Sequence, residues 1–175
     1  MKKILTLLLV MAALCSALAG CGIVDESPVK ETPAGNNATP SGQEKELIFG
    51  LNETAAFSNL KFTASELKES NGTDYFTPED GNVFVGIKFT IENVSDEEQA
   101  VSSVLMFEGY VDDVKCDYSF NAAVAFEDTL DGSLAAGKKL VGWYALEVPK
   151  DWSAIELNIQ NNWLSNKHAK FVFSK

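Results

Sequence analysis

From Leu47 onward, apolar and polar residues alternate with a period of two, the spacing of a strand with one face buried. The clearest run is Val83 to Val94, in which Val83, Val85, Ile87, Phe89 and Ile91 share one face and Phe84, Gly86, Lys88, Thr90 and Glu92 the other. A second run, Lys139 to Val148, sets Leu140, Tyr144, Leu146 and Val148 on the parity of Gly142 and stops at Pro149. Ile155, Leu157 and Ile159 alternate in the same way, as do Ala169, Phe171 and Phe173. Thr54 to Phe57 and Leu60 to Ser65 predict two strands around a turn at Ser58-Asn59, and Ser103 to Phe120 predicts two more around Asp112-Asp113. Further turn signals stand at Asn71-Gly72, Asp80-Gly81, Asp131-Gly132 and Ala136-Gly137. Single helical turns are expected near Asn121 to Asp128 and Pro149 to Ala154. The pattern predicts an all-β antiparallel sandwich of about seven to nine short strands over residues 47–175.

The first 20 residues follow another rule. Lys2 and Lys3 precede an apolar run from Ile4 to Ala19, broken only by Thr6 and Ser16. Sixteen helical residues span about 24 Å, short of a hydrocarbon core of roughly 30 Å, so the run predicts a signal helix over residues 1–20 rather than a permanent span. Its end, Leu18-Ala19-Gly20-Cys21, resembles the lipobox of bacterial lipoproteins. That resemblance implies cleavage before Cys21, lipid on its thiol and a protein anchored to the cell membrane on its extracytoplasmic side. Several acyl chains, at about 0.8 kcal/mol per buried CH2, suffice for firm anchoring. Residues 21–46 contain Pro28, Pro33 and Pro40, several Gly, Ser and Thr and no aromatic residue, a composition that predicts a flexible, disordered tether.

Charge and cysteine content narrow the function. The formal net charge is -11, and loss of Lys2 and Lys3 with the signal brings it to -13. With a pI near 4.5 the chain lacks the clustered positive charge that nucleic acid needs, and an anionic bilayer would repel it, so lipid rather than surface charge must hold it. All 14 basic residues are Lys, which removes the Arg fork that clamps phosphates and carboxylates. Once Cys15 leaves and Cys21 carries lipid, Cys116 is the one thiol of the body, so no disulfide can form within it. Asp112, Asp113 and Asp117 would raise its pKa if close, because they disfavour the thiolate.

Several segments together resemble the telokin-like, immunoglobulin-like domains of unknown function found on bacterial lipoproteins, especially those of low-GC Gram-positive bacteria. They are Gly50 ahead of Ala55-Ala56-Phe57 and Leu60-Lys61-Phe62, Gly81-Asn82-Val83-Phe84-Val85 leading to Ile91-Glu92-Asn93, Gly132 to Gly137, and Gly142-Trp143-Tyr144-Ala145-Leu146-Glu147-Val148-Pro149. The resemblance covers about residues 47–175. It implies an immunoglobulin-like β-sandwich and supplies no catalytic residue and no cofactor.

Chemical motifs are sparse. Glu127, Thr129, Asp131 and Gly132 match the first half of a calcium loop, but Lys138 stands where the bidentate Glu belongs. Asp112, Asp113 and Asp117, or Asp96-Glu97-Glu98, are the other loop acids that could meet calcium. The one histidine, His168, rules out a multi-His metal site within the chain and would have to serve any nucleophile alone. No Walker loop, dinucleotide fingerprint or nucleophile elbow is present. Trp143, Trp152 and Trp163 could anchor a partner or stack on a sugar, although a Trp in a sandwich more often belongs to its core. The reading is a non-enzymatic, membrane-anchored module that binds a protein or envelope polymer through residues the sequence does not single out. The alternative is a small-ligand or calcium-binding lipoprotein.

Overall fold

The structure, a computed structural model, describes residues 27–31, 47–162 and 167–175. The expected signal, Cys21, most of the expected tether and Trp163 lie outside the described residues. No helix among the described residues is long and apolar enough to cross a membrane.

Two five-stranded sheets form a β-sandwich. Sheet A runs β1 (Val29–Glu31), β3 (Thr54–Ala56), β4 (Leu60–Ser70), β5 (Asn82–Asn93) and β10 (Lys139–Pro149), antiparallel throughout. Sheet B runs β2 (Ile48–Phe49), β12 (Ala169–Ser174), β11 (Ala154–Ile159), β7 (Phe107–Val111) and β8 (Val114–Cys116), with only the β2 to β12 pairing parallel. A small ribbon pairs β6 (Gln99–Val101) with β9 (Gly132–Leu134). The twelve strands among the described residues exceed the expected seven to nine because β1, β2, β6 and β9 have only two or three residues, too few to display a period.

The inward faces match the alternation. Val85, Ile87, Phe89 and Ile91 of β5 and Tyr144, Leu146 and Val148 of β10 meet Ile155, Leu157 and Ile159 of β11 and Phe171 of β12 in one core. Rings link the sheets across it: Phe89 lies 5.4 Å from Phe171 and 5.5 Å from Phe107, and Phe107 stacks on Tyr144 at 5.0 Å. Such pairs add to the area they bury.

The sequence reading fails on the outer face of sheet A. Strands β5 and β10 are buried on both sides at their centre, because the chain after β8 folds back over them. There Ala122 and Phe126 cover Phe84, Trp143 and Ala145 in a second apolar cluster. Phe126 stacks on Trp143 at 5.2 Å and occupies the space over Gly86, where any Cβ would stand 2.6 Å from its ring. Trp143, on the parity opposite Tyr144 and Leu146, is thereby 8% exposed, in line with the expectation that a Trp in a sandwich belongs to its core.

Four of the predicted turns hold, at Ser58-Asn59, Asp80-Gly81, Asp112-Asp113 and Ala136-Gly137, whereas Gly132 opens strand β9 and Asn71-Gly72 lies in an irregular stretch after β4. Asp112 and Asp113 both take positive φ, 48° and 66°, as a two-residue hairpin matched to strand twist requires. The helical turns differ. The stretch read as the first strand after Ser103 begins with helix α1 (Ser103–Met106), because the Ser102 side chain accepts a hydrogen bond from the Leu105 amide and caps a turn there. Helix α2 (Phe120–Ala123) starts one residue before the expected span and is shorter than it, while Pro149 to Ala154 forms a turn and no helix.

Three residues of the expected tether, Val29 to Glu31, are strand β1 on the edge of sheet A. Pairing to β3 supplies the backbone partners that a disordered tether would find in water.

Candidate functional site

The segment from Ser102 to Tyr118 builds an open groove of about 500 Å³ beside β8. Its position follows from local contacts. The Asp131 carboxylate accepts hydrogen bonds from the Ser103 amide (2.9 Å) and hydroxyl (2.8 Å), which fastens α1 against the body. Ser103 is thereby buried while the next two residues of the turn face outward, with Val104 52% and Leu105 65% exposed. On the opposite wall Ser119 caps α2 through the Ala122 amide (3.1 Å) and leaves Phe120 71% exposed. Burying any of these side chains would yield roughly 1.5–3 kcal/mol, so three of them around one groove form an unpaired apolar surface.

The floor is aromatic. Phe107 stacks on Tyr144, Tyr144 lies 5.4 Å from Tyr118, and Tyr118 meets Phe120 edge-on at 5.1 Å. Burial pushes the Tyr144 hydroxyl far above its usual pKa and raises that of Tyr118 as well, so both are neutral phenols at any physiological pH. Glu108, Lys115, Asp117 and Gln160 line the groove with polar groups, and Lys115 pairs with Glu108 at 3.2 Å. Rigid rings and outward aliphatic side chains beside a few polar groups can grip a hydrophobic side chain or the apolar face of a ring, and they contain no assembled nucleophile and base.

The other sequence candidates are placed elsewhere. Cys116 is half-buried and its thiol points to the Glu147 carbonyl oxygen at 3.5 Å. Burial, followed by the Asp117 and Glu147 carboxylates, raises its pKa; of the three acids expected to do so, Asp117 contributes. His168 is exposed just before β12, three strand positions from β8, about 14 Å at ordinary strand spacing. Thiol and imidazole are therefore not brought together. Trp152 is 2% exposed and its indole N–H donates to Glu69 at 2.8 Å, so it belongs to the core.

Two of the calcium candidates, Asp112 and Asp131, serve the backbone. Asp112 accepts from the Ser153 amide (3.1 Å) and the Ala154 amide (2.9 Å), and Asp131 is held by Ser103. Asn93 organises the loop carrying Asp96, Glu97 and Glu98 by donating to the Glu97 and Leu134 carbonyls. Among the described residues no three His, Cys, Asp or Glu side chains are placed to hold a metal ion. Sequence reasoning missed Val104, Leu105, Tyr118 and Phe120. The available signal was Ser102 three residues before Leu105, an N-cap spacing inside a stretch that otherwise reads as strand.

Known structures share the architecture. A candidate lipoprotein of Bacillus subtilis matches with a TM-score of 0.59 at 16% identity, over 69% of this chain and 38% of that one. The chain thus spans well under half of that protein. An uncharacterized β-sandwich protein of Clostridium difficile matches at 0.52 and 16% identity over 78% and 99% of the two chains. A secreted protein of Mycobacterium tuberculosis matches at 0.51 and 12% identity over 76% and 100%. At such identities the likeness establishes the fold alone. No curated protein matches the chain. With residues 49–170 matched to it, the chain belongs to the family described as domain of unknown function DUF4352.

Proposed function

We propose that the protein is a non-enzymatic, extracytoplasmic module, lipid-anchored through Cys21, that binds a protein or envelope polymer in the groove beside β8. The observation behind this reading is the gathering of Val104, Leu105 and Phe120, all exposed, around one aromatic floor. Isolated surface apolar residues need no explanation, whereas a contiguous set rimmed by polar groups is typical of a binding surface. The net charge of -13 after loss of the signal favours basic partners and disfavours anionic polymers such as teichoic acids. The signal and lipobox pattern supports the address, as does the likeness to a candidate lipoprotein and a secreted protein.

Two measurements test the parts separately. Palmitate-analogue labelling of growing cells is expected to mark the wild-type chain and to vanish in Cys21→Ala, which should be released from the membrane fraction; label persisting in that variant removes the anchor. For the groove, a photo-crosslinking residue at Phe120 should give a discrete crosslinked partner in intact cells, absent when the same residue replaces the outward Val172 of sheet B. Leu105→Asp in the Phe120 probe background should cut that product at least tenfold while leaving the thermal midpoint within a few degrees, because Leu105 is already in water. Equal crosslinking from Phe120 and Val172 would refute the groove.

A further inference from the structure

We propose that strand β1 is a releasable clasp that sets how far the domain can stand from its lipid anchor. The proposal goes beyond the groove and rests on the anchor reading for its consequence at the membrane. All three residues of β1 are exposed, so no core burial holds the strand. It has one partner, β3, with Val29 opposite Ala56, Lys30 opposite Ala55 and Glu31 opposite Thr54. Besides that short ladder, and the half-buried Ser27 and Pro28 before it, the strand is held through its two charged side chains, Lys30 also donating to the Ile48 carbonyl at 3.4 Å. Lys30 pairs with Glu53 at 2.6 Å and its ammonium lies 5.7 Å from the centre of the Phe49 ring; Glu31 pairs with Lys61 at 2.7 Å. Glu53 is itself oriented, because its other oxygen accepts from the Gly50 amide at 2.8 Å. The Lys30 hydrogen bond, opposed by burial and aided by the Gly50 amide, keeps the Glu53 carboxyl below its usual pKa, so it is a carboxylate at neutral pH.

Exposed ion pairs are individually weak and screened by salt, so a strand held this way can open without unfolding the sandwich. Opening changes the geometry at the membrane. With β1 docked, Cys21 is eight residues from Val29, a separation no conformation can stretch beyond about 29 Å. With β1 released, chain length alone sets the limit from Cys21 to Ile48, twenty-seven residues on, at about 97 Å. Val29 lies opposite Ala56, beside the turn at Ser58-Asn59, so the docked strand begins at that pole of sheet A, opposite the loop from Asn71 to Gly81 at the far end of β4 and β5.

The test exchanges charges within the strand. Lys30→Glu with Glu31→Lys keeps composition and net charge while setting a carboxylate against Glu53 and an ammonium against Lys61. Adding Glu53→Lys and Lys61→Glu restores both attractions. The lipidated mature chain, with Cys116→Ala and a donor dye on Asp74→Cys, is placed in phosphatidylcholine vesicles carrying an acceptor lipid. Energy transfer should fall at least twofold in the two-residue exchange and return towards wild type in the four-residue variant. Amide exchange over residues 27–31 should be slowed at least tenfold in wild type and in the four-residue variant, and unprotected in the two-residue exchange. Unprotected amides in wild type overturn the clasp. Opened amides with unchanged transfer overturn its control of reach. A chain that fails to float with the vesicles overturns the anchor reading and the reach with it, while the amide data still decide whether the clasp closes.

Discussion

Replacing Trp152 by Ala is expected to cost about 3–5 kcal/mol, the range for deleting a large buried aromatic, and to lower the thermal midpoint by on the order of 10–20 °C. The side chain is among the largest fully enclosed ones and is sealed from outside by the Lys175 ammonium, 5.3 Å from the ring centre. Trp152→Phe separates packing from hydrogen bonding. It keeps much of the ring but leaves Glu69 without the indole donor, for a loss nearer 1–2 kcal/mol including the smaller ring. Lys175 first, and then Trp152, hold the Glu69 carboxyl below its usual pKa. A depressed carboxyl contributes stability that is present above its unfolded pKa of about 4.3 and lost as pH falls through the folded value. The hydrogen-bond share of the Phe variant's deficit should therefore shrink below about pH 4. Calorimetric melts at pH 7 and pH 3 check both statements. A Trp152→Ala midpoint within a few degrees of wild type would show that the indole is not a core element, and would return it to the pool of partner-binding residues.

Asn93 should produce the second large effect despite being polar. It is fully buried and satisfied: its amide donates to the carbonyls of Leu134 (2.8 Å) and Glu97 (2.7 Å), and its side-chain oxygen accepts from the Ser95 amide (3.0 Å) and hydroxyl (2.7 Å). One side chain thus ties the end of β5 to the acidic loop and to β9. Asn93→Ala takes their partner from the buried Leu134 carbonyl and the Ser95 amide, while the Glu97 carbonyl keeps the Ser95 hydroxyl at 3.1 Å, an expected loss of about 2–3 kcal/mol. Asn93→Asp should be worse, because a carboxylate cannot donate to either carbonyl. Urea titration should show a lower midpoint with unchanged slope in both, and a midpoint for the Asp variant above that for the Ala variant would contradict the assigned donor roles.

Much of the sandwich was legible before any coordinates. The period of two named the inward residues of β5, β10, β11 and β12, since one strand face must be dry. Gly and Asp turn signals found the hairpin at Asp112-Asp113 because positive φ is chemically restricted. The same rules do not show what covers Trp143 and Phe84. Their parity put them outside, and they are outside sheet A, but Ala122 and Phe126 arrive from 17 to 42 residues away in sequence to cover them. A local pattern contains no information about a segment that folds over its back.

The groove escaped for a related reason. Val104, Leu105 and Phe120 are ordinary apolar residues in sequence, and only the clamp of Ser103 on Asp131 and the cap of Ser119 on α2 turn them towards water. The expectation of disorder before Leu47 was compositional. It failed at Val29 to Glu31 because two opposite charges there meet Glu53 and Lys61, and a three-residue strand leaves no compositional trace.

By itself, the sequence determined the strand faces, most of the turns and the acidic composition. These follow from single residues or from spacing along one strand. Only the tertiary structure decided which tryptophans are core, which acids support the backbone and which apolar residues remain exposed around the groove. Each of those depends on contacts between residues far apart in the chain, and burial is a property of the pair that meets rather than of either residue alone.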